Sequence, residues 1–240
     1  MNDKEEKLEG GQYGTVVHRI GNTIHRGQNE NSGYVHKLLQ NLEEHGCMFT
    51  PRFLGIDEQK REILTFIEGD LLDGDSEIKE EVSIEAINIL RELHDATMGS
   101  LLAGDKEVTC HNDFAPWNTV VKNGRITGII DFDGAGPGNR IDDVTYMIWT
   151  FLGLHDVAKT EWYLEQMRKL TETYGDFDKS NFVKVLLNHQ TETLTMRRHR
   201  ALHDTSEEAR VFSRERGLRI EREIQWTKDH TGAIEAVLGT

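Results

Sequence analysis

Two short stretches carry the residue types that could do chemistry. They are Cys110-His111-Asn112-Asp113-Phe114-Ala115-Pro116-Trp117-Asn118 and Ile129-Ile130-Asp131-Phe132-Asp133. Between them lie the β-branched runs Thr119-Val120-Val121-Lys122 and Arg125-Ile126-Thr127-Gly128-Ile129-Ile130, joined by Asn123-Gly124. Asn-Gly is the strongest short-range hairpin signal, because a type I′ turn needs positive φ at both central residues. With Lys122 opposite Arg125, counting outward places Asn118 opposite Ile129 and Asp131 just past the open end, on the side of Asn118. A carboxamide and a carboxylate then reach one hard cation. Mg²⁺ needs few protein oxygens when phosphates and water supply the rest, so Asn118 and Asp131 suffice as ligands. Asp133 is either a second metal contact or a loop anchor. Asp113, on a turn stiffened by Pro116, faces the same cavity. Phosphoryl transfer requires a positioned hydroxyl, in-line geometry and neutralised charge. Asp113 would orient that hydroxyl and take its proton, while His111 would shape the loop by hydrogen bonding. The chemistry expected is phosphotransfer from a Mg-nucleotide. A lone His-X-Asp is usually only a capped turn; the conjunction of motifs carries the reading.

At these residues the chain resembles the aminoglycoside phosphotransferase and choline kinase group of small-molecule kinases, which share the protein-kinase-like fold. The resemblance covers the chain up to about residue 155. The His-Gly-Asp-X4-Asn and Asp-X-Asp motifs of that group fall on His111, Asp113, Asn118, Asp131 and Asp133. Protein kinases use a related arrangement of a base Asp, a metal-binding Asn and a second metal-binding Asp. Asn112 stands where the group usually has Gly, and Asn is the residue that best tolerates a left-handed backbone in its place. The string His-Asn-Asp-Phe-Ala-Pro-Trp-Asn further resembles a trifolitoxin-immunity-like subgroup of phosphotransferases.

Other elements must position this site. Leu8-Glu9-Gly10-Gly11-Gln12-Tyr13-Gly14 precedes the β-branched run Thr15-Val16-Val17, and Gly11 and Gly14 are candidates for letting backbone amides approach phosphates. Thr23-Ile24-His25-Arg26 is the next expected strand. The resemblance implies a basic residue there for the nucleotide phosphates, usually Lys; Arg26 is the candidate, with an ordinary surface arginine as the alternative. Ser32 to Glu44 has helical spacing, with Val35, Leu38, Leu39 and Leu42 on one face and Gly46 as the stop. The resemblance implies an acidic partner for the basic residue from this helix, yet only the late Glu43 and Glu44 offer one. Two strands follow, Arg52 to Asp57 and Arg61 to Ile67, and the resemblance places adenine against the backbone near Phe66 and Ile67. Asp75 or Ser76 caps a long amphipathic helix running to Ala96. His94 on that helix reads as a hydrogen-bonded core histidine. Glu107 to Cys110 is the strand delivering the catalytic loop, and Gly134 to Gly138 reads as a tight loop. Asp142 or Asp143 opens a further helix, where either complements the dipole, and the resemblance has Asp143 brace the catalytic loop. From Asp156 the pattern is helical: roughly 156–174, 180–203 and 206–229, with Phe182, Val185, Leu186, Val211, Phe212, Leu218 and Ile224 as core.

The 240 residues suffice for one large domain or two lobes. Asp and Glu number 42 against 28 Lys and Arg, a net charge of −14, which disfavours nucleic acid and anionic membrane and favours neutral or cationic small partners. No segment has the length of a membrane span and the start has no apolar signal region, so a cytoplasmic location is expected. Cys47 and Cys110 have no metal-type spacing, and Cys110 reads as a small buried strand residue.

The expected fold is α+β and two-lobed, protein-kinase-like. A small N-terminal β-sheet lobe over residues 1–68 would bind nucleotide, and a larger, mainly helical lobe over 69–240 would carry catalysis and the acceptor. The expected activity is transfer of the γ-phosphoryl of ATP, or GTP, with Mg²⁺ to a hydroxyl of a small acceptor such as an aminoglycoside or amino-sugar. The alternative is a kinase-like immunity protein that sequesters a toxin or antibiotic. A nucleotidyltransferase would show Gly-Ser followed by Asp-X-Asp on one strand, and that order is missing. The sequence carries no signal for oligomeric state.

Overall fold

The computed structural model describes residues 5–8 and 16–240. Gly11 and Gly14 lie outside the described residues. The described chain divides into two compact units, one built from the residues up to Gly74 with Asn88–Asn139, the other from Asp75–Ile87 with Arg140–Thr240.

In the first unit, β1 (Glu5–Leu8), β2 (Val17–Ile20), β3 (Thr23–Arg26), β4 (Phe53–Ile56) and β5 (Glu62–Thr65) form an antiparallel sheet in the order β1-β2-β3-β5-β4. Helix α1 (Ser32–Glu44) has the predicted bounds, and Val35, Leu38, Leu39 and Leu42 are all buried. Gly46, in the left-handed region at φ +79°, ends it. Asp57 pins the β4–β5 turn: its carboxylate accepts from the Gln59 and Arg61 backbone amides and from Arg61 Nε at 2.7 Å, and pairs with His25 Nδ1 at 2.9 Å. Burial alone would raise this carboxyl, but the bonds from His25 and Arg61 outweigh it and hold it well below the ordinary carboxylate range. A depressed folded pKa adds stability above the unfolded value of about 3.9, and that stability is lost as pH falls through the folded value. Asp57→Asn is therefore expected to lower Tm at pH 7, with the gap to wild type closing as pH drops below about 4; a Tm-versus-pH series with a constant gap would contradict the assignment.

β8 (Thr119–Lys122) and β9 (Arg125–Ile129) make the predicted hairpin, with β6 (Asp70–Leu71) on its edge. Asn123 at φ +54° and Gly124 at φ +75° supply the two left-handed turn residues. Lys122 faces Arg125 as expected, but a bulge then pairs Val121 with Ile126 and Val120 with Gly128. The extra residue slides the partner of Ile129 from the expected Asn118 to Thr119. Asn118 instead accepts the Ile130 amide at 2.9 Å, one position nearer Asp131. β7 (Val108–Cys110) pairs with β10 (Gly136–Gly138), so the expected tight loop is in part a strand. Cys110 is fully buried at the end of β7, its Sγ 3.3 Å from the Asn139 carbonyl. Cys47 is buried too, and burial with Glu92 nearby pushes its thiol up to about 11.

Helix α2 (Glu80–Thr97) runs through the division between the units. It begins at Glu80, later than expected and out of capping reach of Asp75, whose carboxylate instead pairs with Arg219 at 2.6 Å. Glu80 and Glu81 in its first turn complement the dipole instead.

The second unit holds α3 (Arg140–Leu152), α4 (Thr160–Tyr174), α5 (Phe182–His203), α6 (Glu207–Asp229) and α7 (Thr231–Leu238). Its core gathers Trp149, Tyr163, Met167, Tyr174, Phe182, Leu186 and Trp226. One expectation fails on α6: Val211, Phe212 and Leu218 are exposed, Leu218 at 56%. The buried face is Ser213, Gly217, Ile220, Glu223, Trp226 and Thr227. Small and hydrogen-bonded residues take that face against α5, where a Cβ added to Gly217 would sit in ordinary contact, 3.7 Å from Leu194. Glu223 is likewise matched by Trp149 Nε1 at 2.7 Å and Arg219 Nε at 3.1 Å. Among the described residues no helix is long and apolar enough to cross a membrane.

Candidate active site

The loop carrying His111, Asp113 and Asn118 is held by its own contacts. Asn112 sits at φ +64°, the conformation usually left to glycine, and its Nδ2 donates to the Gly134 carbonyl at 2.8 Å, tying the loop to the Asp131–Asp133 turn. His111, 2% exposed, accepts the Asp113 amide on Nδ1 at 3.3 Å, and its Nε2 lies 3.1 Å from the Ile130 carbonyl. These partners assign the neutral tautomer protonated on Nε2. Its ring rests 4.4 Å from that of Phe132. His111 therefore links the loop to the strand end that carries Asp131.

Asp113 and Asn118 are in direct contact. Asn118 Nδ2 donates to Asp113 Oδ2 at 2.8 Å and to the Asp113 carbonyl at 2.9 Å, and Trp117 Nε1 lies 3.4 Å from the same Oδ2. The plane of the carboxylate is thus set. With both Nδ2 hydrogens used, Oδ1 is the Asn118 atom suited to a cation.

Asp131 sits at φ +65°, strained for a non-glycine residue. Burial first, then the neighbouring Asp133 carboxylate, raises its carboxyl above the ordinary range, while Arg26 pulls the other way. Arg26 reaches this cluster from β3: NH2 bonds Asp133 Oδ1 at 2.5 Å and NH1 lies 3.7 Å from Asp131 Oδ1. Arg26 Nε bonds Glu62 Oε1 at 2.5 Å. The guanidinium stays charged because Asp133 and Glu62 outweigh its burial.

Arg26, Phe66, Ile67, Asp113, Asn118, Asp131 and Asp133 all line one cavity of about 500 Å³ within the first unit. Ile24, Leu64, Val120 and Ile130 supply its apolar wall. β3 shows the change of character along one face: Ile24 is followed two residues on by Arg26. The Phe66 amide is already bonded to the Asn22 carbonyl at 2.9 Å, and Arg19 stacks over the Phe66 ring at 3.7 Å, which fixes this edge of the cavity.

Two residues of the site escaped sequence reasoning, Glu62 and His36. The partner of Arg26 was expected from α1, but it comes from β5, where Glu62 is the cross-strand partner of Arg26. The helix provides His36, whose Nε2 lies 2.6 Å from Glu62 Oε2. A signal existed: Glu62 and Leu64 alternate onto one strand face, so an inward Leu64 implies an inward Glu62.

Gly69 and Gly128 let the hairpin close on the cavity. A Cβ on Gly128 would meet the Ile67 side chain at 2.4 Å. Gly69, at φ +148°, is less forgiving: a Cβ there would clash with the Val121 backbone carbonyl, which cannot swing aside as a side chain can. Gly69→Ala is expected to cost about 1–3 kcal/mol in chemical denaturation; an unchanged midpoint would show that the backbone yields there.

The comparisons with known proteins give the family and the fold. The chain is 30% identical over 236 residues to the trifolitoxin immunity protein of Rhizobium leguminosarum bv. trifolii, covering 88% of this chain and 85% of that one. The pattern of the phosphotransferase enzyme family matches residues 97–176, the span holding the catalytic loop and the Asp131–Asp133 turn. The chain belongs to the phosphotransferase enzyme family. Its fold is the kinase-like one of the aminoglycoside phosphotransferases. The spectinomycin phosphotransferase APH(9)-Ia, solved with ADP and spectinomycin, superimposes with a TM-score of 0.63 at 12% identity over 93% of this chain and 89% of that one. A choline/ethanolamine kinase family protein from Mesorhizobium loti gives a TM-score of 0.61 at 14% identity over 99% of this chain and 93% of that one.

Proposed function

We propose that this family member is a small-molecule kinase, moving the γ-phosphoryl group of ATP or GTP to a hydroxyl of a small acceptor. The observation that carries the reading is one cavity lined both by apolar residues and by Arg26, Asp113, Asn118, Asp131 and Asp133. Such a mixed lining suits a planar base together with a polyphosphate. Residues 1–68 would serve as the nucleotide-binding lobe, with Gly11, Gly14, Arg26 and the Phe66–Ile67 edge as its contacts, and 69–240 as the catalytic and acceptor lobe.

The acidic cluster fits a hard divalent cation. The Asp131 carboxyl, raised beside Asp133, would be relieved by one, and Asn118 Oδ1 adds a neutral oxygen. Mg²⁺ bound by Asn118, Asp131 and Asp133 would supply charge neutralisation to the phosphates. Asp113 accepts the proton of the acceptor hydroxyl as the new O–P bond forms and the bond to the departing diphosphate breaks. Its orientation is held by Asn118 and Trp117. His111 holds the loop and touches no reacting atom. The net charge of −14 favours a cationic acceptor such as an aminoglycoside or amino-sugar in the cytoplasm.

The test is a thermal shift with ATP and GTP, with and without Mg²⁺, followed by transfer of labelled γ-phosphate to a panel of amino-sugars and amino alcohols. A Mg-dependent rise with one nucleotide and labelling of one acceptor is the expected result. Stabilisation by nucleotide without labelling of any acceptor favours a second reading, capture of a toxin or antibiotic without turnover. The relation to a protein named for trifolitoxin immunity supports that alternative.

A further inference from the structure

Arg26 can serve a polyphosphate only if its long side chain is held where the phosphates arrive. The geometry points to Glu62 and His36 as the residues that hold it: we propose that they form a positioning relay from α1 to the Arg26 guanidinium. This rests on the kinase reading above and deepens it.

Arg26 Nε is committed to Glu62 Oε1, while the two terminal nitrogens face Asp131 and Asp133. The fork divides its labour, one nitrogen to the scaffold and two toward the phosphate end of the cavity. A lysine would have to serve both from one ammonium, whereas the fork separates the two directions, which suits arginine on this strand. Glu62 lies directly across β3–β5 from Arg26 and is 1% exposed, so both its oxygens need partners. Arg26 takes one and His36 Nε2, at 2.6 Å, takes the other. The imidazole is itself fixed by stacking on Phe53, centroids 3.8 Å apart and planes 12° from parallel.

A second tie closes the circuit. Asn31, at the start of α1, donates from Nδ2 to the carbonyls of Asp133 and Ala135, each at 2.9 Å. Helix α1 thus grips the metal-binding turn directly through Asn31 and indirectly through His36, Glu62 and Arg26. Fixing a flexible guanidinium in advance removes ordering cost from the binding step. The relay therefore acts on affinity for the phosphates and leaves recognition of the base alone. A merely structural ion pair would lack that selectivity.

The experiment is calorimetric titration of ATP with Mg²⁺, and separately of adenosine, into wild type, His36→Leu, His36→Gln, Glu62→Gln and Arg26→Gln, with His36→Leu also placed in the Arg26→Gln background. His36→Leu and Glu62→Gln are each expected to weaken ATP about tenfold, the scale of a lost hydrogen bond to a charged group. Adenosine affinity should not move. His36→Gln, which keeps an N–H donor, should recover most of the ATP affinity. In the Arg26→Gln background His36→Leu should cost nothing further, because the relay then has no end point. Equal weakening of ATP and adenosine, or the same loss with and without Arg26, would overturn the relay while leaving the kinase reading intact. Should His36→Leu not fold, Glu62→Gln and His36→Gln decide the matter through the same ATP-against-adenosine contrast. Failure of the wild type to bind ATP, and GTP in a parallel titration, would overturn the functional reading and this inference together.

Discussion

Asp113→Asn should lower the rate of phosphoryl transfer by roughly 10²- to 10⁴-fold while leaving nucleotide affinity within about twofold, the range for loss of a positioned general base. The substitution is nearly isosteric and should keep the contact with Asn118, now 2.8 Å from Oδ2. What it removes is the capacity to take the acceptor's proton. The change should therefore fall on kcat and spare the KM for nucleotide, which separates a chemical role from a binding one. A measured kcat within a few-fold of wild type would sink the assignment. His111 offers the contrast, since it acts through the Asp113 amide and the Ile130 carbonyl; His111→Ala should loosen the loop and lower stability together with activity.

Asp131→Ala carries the second large effect. At a hundredfold excess over its Kd a nucleotide adds about 2.7 kcal/mol to the stability of a protein. For a chain of this length that raises Tm by about 5–10 °C. In the wild type the rise should need both Mg²⁺ and nucleotide; in Asp131→Ala the Mg-dependent part should vanish. The apo variant should keep or slightly gain stability: the Asp131 carboxyl is raised by burial and by Asp133, so its charge is a cost in the empty site, and it adopts a left-handed backbone. A Mg-dependent rise that survives in Asp131→Ala would move the metal to Asp133 and Asn118 alone.

Both variants probe a site whose parts were legible to different degrees. The catalytic loop, the Asn123-Gly124 hairpin and the Asp131-Phe132-Asp133 return follow from turn chemistry and alternation, which act over a few residues. So does α1, whose apolar spacing and stopping glycine define both its ends. Asn112 was legible as well, since a left-handed position in a tight turn leaves few residue types other than glycine. Its second duty, the bond to Gly134, was not.

The errors share one cause. The hairpin register slipped because a bulge depends on how β8 and β9 twist against each other, and nothing in the local pattern counts the extra residue. The α6 face was misassigned because its buried side is chosen by what α5 and Trp149 offer it: Gly217, Ser213 and a satisfied Glu223 in place of Phe212 and Leu218. Glu62 was read as an ordinary strand residue because the strand order that sets β5 beside β3 is not written in either strand.

By itself, then, the sequence determined the candidates for the chemistry: which carboxylates, which amide and which loop, because those depend on residue type and spacing within single turns. Tertiary structure decided how the cation of the site is held. Arg26 meets Glu62 at a separation of 36 residues and Asp133 at 107, and Glu62 meets His36 at 26. Contacts over such separations are set by packing and strand order, which no local propensity encodes.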